Sequence, residues 1–92
     1  MSTKEERSQR AEQALKEVRS LEAAIRKNVL YNLGRPADLH EVQVRPLWDS
    51  NYRVNVFVGT DAASAKVAHS FFLTTDADGE VLASAPAISR LY

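Results

Sequence analysis

Through the first third of the chain, apolar residues recur three and four positions apart, at Ala11, Ala14, Val18, Leu21 and Ile25, with Leu15 and Val29 beside them. That period is the core-facing stripe of an α-helix. After Pro36 the pattern changes to strict alternation, the signature of strands with one buried face. The change falls at Leu33-Gly34-Arg35-Pro36. Glycine accepts the left-handed conformation just past a helix end, and proline cannot continue the helix. At the other end, Thr3-Lys4-Glu5-Glu6 has the spacing of a capping box, in which Thr3 and Glu6 each satisfy the other's backbone N–H. The pattern predicts one helix from about Lys4 to Leu33. Its polar face carries Glu6–Arg10, Glu12–Lys16 and Glu22–Arg26, three pairs at i,i+4 with the acid first.

Four alternating segments follow, at about Leu39–Leu47, Tyr52–Val58, Lys66–Thr75 and from Glu80 onward. Turn-forming residues separate them: Trp48-Asp49-Ser50-Asn51, Gly59-Thr60-Asp61 and Asp76-Ala77-Asp78-Gly79. Short connections favour neighbouring antiparallel strands, hence a meander in the order 1-2-3-4. The prolines agree with that order. Pro46 and Pro86 fall in the first and last segments, and proline, lacking a ladder donor, belongs at sheet edges. The predicted class is α+β, one long N-terminal helix packed on a four-stranded antiparallel meander.

The alternation assigns Val42, Val44, Val54, Val56, Val58, Val67, His69, Phe71, Leu73, Val81, Ala83 and Ala85 to the helix side of the sheet. Phe57, Phe72 and Leu82 fall on the opposite side, which in such a sheet is normally polar. They are expected to form one apolar patch for a partner, or to be covered by the C-terminal segment with Ile88, Leu91 and Tyr92. Lengths add a second expectation. A helix from Lys4 to Leu33 is about 45 Å long at 1.5 Å per residue, whereas the strands span roughly 25–33 Å. The first two or three turns therefore overhang, either fraying in solvent or resting on a second copy of the chain.

One helix followed by a four-stranded antiparallel meander resembles the cystatin-like fold over about residues 10–90, in element order. The inhibitory hairpins of that family are not matched. Gln43-Val44-Arg45 lacks the glycine of the Gln-x-Val-x-Gly loop, and Pro46-Leu47-Trp48 replaces an adjacent Pro-Trp. The resemblance thus implies a fold and no protease inhibition, and folds of this kind host unrelated functions.

Composition narrows the remaining possibilities. Ninety-two residues are read as one domain, 1–92, with 1–10 as the frayed or overhanging helix start. Twelve basic and twelve acidic residues cancel, so neither nucleic acid nor an anionic membrane is expected as a partner. There is no cysteine, and no apolar run long enough to span a bilayer. Met-Ser-Thr-Lys-Glu-Glu-Arg has no apolar leader core, which makes a cytoplasmic location the default expectation.

No motif for catalysis, a cofactor or a metal is present. His40 and His69 lack ligand spacing, and His69 lies in phase with Phe71. Asp76-Ala77-Asp78-Gly79-Glu80 reads as a hairpin turn, not a calcium loop. Asp61, Ser64 and His69 supply the residue types of a triad without a nucleophile context, and Asp61 to Ser64 reads as a capped turn. The leading expectation is a non-enzymatic protein–protein interaction module that forms a homodimer or binds an unidentified protein, through Phe57, Phe72 and Leu82 or through the overhanging helix. The alternative is a small-molecule or enzymatic pocket between helix and sheet around His69 and Tyr31.

Overall fold

The computed structural model describes residues 3–92. Helix α1 runs Lys4–Leu33, and the strands are β1 (Leu39–Pro46), β2 (Asn51–Val58), β3 (Lys66–Thr75) and β4 (Val81–Ala85). They form one antiparallel sheet in the order β1-β2-β3-β4. Both ends of α1 have local chemical causes. The Thr3 hydroxyl accepts from the Glu6 N–H and the Glu6 carboxylate accepts from the Thr3 N–H, each at 3.2 Å. At the far end the Gly34 N–H donates to the Leu30 carbonyl at 2.8 Å, with φ at 87°. A side chain on Gly34 would collide with the backbone of Tyr92, because the C-terminal segment returns there.

The core is the layer between α1 and the sheet. Ile25, Val29 and Leu33 pack against Val42, Val44, Tyr52, Val54, Val56, Phe71 and Leu73. The sheet holds the helix from both edges. Arg26 Nε donates to the Val42 carbonyl on the β1 edge at 2.9 Å. Asn28 Nδ2 donates to the Gly79 carbonyl in the β3–β4 turn at 2.8 Å. Of the three i,i+4 pairs, Glu22–Arg26 closes to 3.7 Å, while Glu6 is turned back into the cap.

The expected core stripe on the helix is cut short. Residues 4–20 are exposed along their whole length, and burial begins at Leu21. Ala11, Ala14, Leu15 and Val18 therefore do not face the sheet, contrary to the periodicity. The cause is where the sheet ends. The Gly79 turn abuts Ala24, Leu21 and Ile25, so closely that a Cβ on Gly79 would lie 3.0 Å from that of Ala24. Seventeen residues, about 25 Å of helix, project past it. This projection is longer than the two or three turns that the lengths predict within residues 1–10, of which Met1 and Ser2 lie outside the described residues.

The sheet also departs from simple alternation at three bulges. An extra residue in one strand leaves the ladder locally unpaired and changes which face its neighbours take. His40 is the extra residue between the Leu39–Val58 and Glu41–Phe57 pairs, and it is exposed. Ala68 is extra between Val56–His69 and Phe57–Val67. Val67 thereby moves to the outer face beside Phe57, where it is 49% exposed. Leu82 is extra between Thr74–Ala83 and Thr75–Val81, so Ala83 and Ala85 lie on the outer face and Ser84 opposite Leu73. These corrections to Val67, Ala83 and Ala85 follow from pairing, not from their own residue types.

Candidate functional site

The outer face of the sheet is organised in rows by the register. Arg45, Arg53, Phe72 and Ala85 form one row. Gln43, Asn55 and Ser70 form the next, joined by hydrogen bonds from Asn55 Nδ2 to Gln43 Oε1 (3.3 Å) and from Ser70 Oγ to Asn55 Oδ1 (2.7 Å). Glu41, Phe57 and Val67 form the third. Phe57 and Phe72 are thus two rows apart, roughly 13 Å along a strand, with a hydrogen-bonded polar row between them. Leu82 is exposed at its bulge. Of the three residues expected to share a patch, Phe57 is separated from Phe72 by that polar row. Phe72 instead meets Trp48 from the β1–β2 turn, ring centroids 5.7 Å apart. That contact escaped sequence reasoning, because a turn residue carries no alternation to place it.

The C-terminal segment does not cover this face. Ile88 packs against the core, and the N–H groups of Leu91 and Tyr92 donate to the Leu33 carbonyl at 2.8 and 3.2 Å. The segment lies on the helix side, where the Tyr92 hydroxyl meets His69 Nε2 at 2.8 Å. His69 stacks on Phe71 in the same strand and meets Tyr92 edge-on. It is thereby accounted for within the fold.

Tyr31 is 77% exposed and lines an open groove with Lys27, Asn28, Glu80 and Val81. His69 is not in that groove, so the two residues of the expected pocket are not brought together. Asp61 and Ser64 bond to one another, the Ser64 N–H donating to Asp61 Oδ1 at 2.9 Å. That backbone donor, seconded by the Ser64 hydroxyl, holds the Asp61 carboxyl below its ordinary value of 3.8. Asp76 Oδ1 accepts from the N–H groups of Asp78 and Glu80 at 2.9 and 3.0 Å, which fixes the β3–β4 turn. Among the described residues no three His, Cys, Asp or Glu gather as a metal site, and no buried side-chain nitrogen or oxygen lacks a partner.

The remaining feature is the projecting helix. Leu15 and Val18 are each 49% exposed there. An open groove runs along this segment, lined by Ala14, Val18, Leu21, Ala24 and, from the β3–β4 turn, Ala77 and Asp78. No described helix is long and apolar enough to cross a membrane. No family model, curated protein or solved structure matches the chain.

Proposed function

We propose that the protein is a non-enzymatic interaction module that self-associates as a homodimer. One observation carries this reading: seventeen residues of α1 stand clear of the sheet while carrying apolar side chains in phase with Leu21, which packs against the core, and with the core residues Ile25 and Val29. Helices in proteins are stabilised mainly by packing an apolar face, and residues 4–20 have no such layer within the single chain. A half-exposed Leu15 and Val18 on such a segment suit a second helix better than solvent. The cystatin-like arrangement of elements is compatible with this reading and assigns no activity of its own. The pocket reading gains no support, since His69 and Tyr31 serve different surroundings.

Sedimentation velocity over a wide concentration series tests the proposal. A dimer of twice 10.2 kDa is expected, and Val18→Asp is expected to dissociate it while Phe72→Asp leaves it intact. A monomer at every concentration overturns the proposal. Dissociation by Phe72→Asp alone would transfer the interface to the outer face of the sheet.

A further inference from the structure

We infer that the outer face of the sheet carries a binding site for single-stranded nucleic acid, with Arg45 and Arg53 on a phosphate and Trp48 stacked on a base. The site lies on the side of the sheet away from α1 and does not depend on self-association through the projecting helix.

The arginines are the first observation. Arg45 and Arg53 face each other directly across β1 and β2, and both are exposed. Like charges at directly opposed positions, with Cβ atoms about 4.5–5.5 Å apart, destabilise a sheet. Arg53 Nη1 donates to Ser70 Oγ at 3.4 Å, and among the described residues neither guanidinium has an ion pair. Their row continues into Phe72 and Ala85 and holds no carboxylate. Glu41 lies on the same face two rows off, roughly 13 Å along the strand, and Asp49 follows Trp48 in the turn. The acids of the β3–β4 turn are engaged elsewhere. Asp76 accepts from N–H groups of its own turn, and Asp78 and Glu80 line grooves beside α1. One phosphate between the two guanidinium forks relieves the repulsion and accepts from both. The balance of twelve basic and twelve acidic residues governs long-range attraction to the whole chain, not the field at this row.

Trp48 is the second observation. Its side chain is 61% exposed and leans on the partly buried Phe72, ring centroids 5.7 Å apart and planes at 41°. The turn that carries it is tied down. The Asn51 N–H and Asn51 Nδ2 both donate to the Trp48 carbonyl at 3.0 Å. Asn51 Oδ1 in turn accepts from the Thr74 hydroxyl of β3 at 2.8 Å. Asp49 completes the turn at φ 51°, a region that few residues other than glycine enter. A large aromatic surface is thus fixed in place over the row of the two arginines and left in water, so little ordering remains to be done on binding.

A phosphate joined to a flat aromatic group is the repeating unit of a nucleic-acid strand, and sheet faces with exposed aromatic and basic side chains bind single strands through both. An acidic peptide would satisfy the arginines and leave Trp48 in water. A duplex keeps its bases stacked on one another and offers Trp48 no free face. A lone nucleotide gains little on a face this open, whereas successive nucleotides of a strand dock at high effective concentration once the first is held.

The test uses the full chain and a fluorescein-labelled oligothymidylate of about ten nucleotides. Trp48 is the only tryptophan, so its fluorescence reports stacking directly. Saturable binding by anisotropy is expected at low salt, together with quenching of Trp48. Trp48→Ala should weaken binding about 5- to 150-fold, and Trp48→Phe should recover most of the loss. With two phosphate contacts, the slope of log affinity against log salt should be about −1.4, falling to about −0.7 in Arg53→Ala. All these positions are exposed, and circular dichroism checks that each variant is folded. Absence of binding and of quenching at low salt overturns the inference. So does binding that Trp48→Ala and Arg53→Ala leave unchanged, which would place it elsewhere on the chain. Equal affinity for polyglutamate would reassign the face to an acidic protein segment, equal affinity for a duplex to bulk charge, and equal affinity for thymidine monophosphate to a small ligand; each overturns the inference. None of these outcomes bears on the dimer, which sedimentation decides separately.

Discussion

Gly79 joins the two layers of the molecule through three properties at once. Its φ is 84°, a Cβ placed on it would lie 3.0–3.4 Å from Leu21, Ala24 and Ile25, and its carbonyl accepts from Asn28. Gly79→Ala should therefore destabilise the fold by about 1–3 kcal/mol, from left-handed backbone strain added to crowding against Ala24. Asn28→Ala removes one partly buried hydrogen bond and should cost about 1 kcal/mol. Urea melts of both variants check the order. Asp61 makes a different kind of prediction. Its carboxyl is held below the ordinary value mainly by the Ser64 N–H, so its ionised form is favoured in the folded chain. The stabilisation is present above the unfolded-state pKa and is lost as pH falls through the depressed folded value. An NMR titration of the carboxyl should give a midpoint below 3.8. Ser64→Ala should return it part of the way, since the backbone donor remains.

The elements themselves divide into what local chemistry decides and what pairing decides. The span of α1, the four strands and their order were legible because a capping box, a Gly-x-Pro stop, the turn residues and edge prolines act within a few positions of themselves. The face taken by Val67 was not legible. Val67, His69, Phe71 and Leu73 alternate without a break in the sequence, and the bulge at Ala68 is a property of how β3 meets β2. The same holds for Ala83 and Ala85 beyond the Leu82 bulge. Helical periodicity likewise continues through Ala11, Ala14 and Val18 although the layer that buries it stops at Leu21, because a 3.6-residue period does not record what lies opposite it. The pairing has a measurable consequence. Leu73→Ala, at a fully buried site, should cost about 2–5 kcal/mol. Val67→Ala, which the alternation places in the same stripe, should change stability by no more than about 0.5 kcal/mol. Comparable losses from both would mean that the bulge is absent.

At the scale of the whole molecule, the projecting helix sets the shape. The described fold extends 52 × 31 × 19 Å, with a radius of gyration of 15.7 Å, against about 12 Å for a compact chain of this length. Such a shape divides α1 into two regions of different stability. Residues 21–33 share the core and can open only with it, so their amides should exchange at the rate of global unfolding. Residues 4–20 have no tertiary layer in the single chain, and local opening there should be nearly free. The proposed self-association would change the second region and not the first, because a ligand that binds the ordered state stabilises it by mass action, the second copy here being the ligand. Amide exchange followed by mass spectrometry at low and high protein concentration should thus show protection of residues 4–20 rising with concentration and abolished by Val18→Asp. Protection of 21–33 should remain high throughout. Concentration-independent protection across the entire helix would mean that the projecting half is stable alone, and the case for a partner from its exposed stripe would fall.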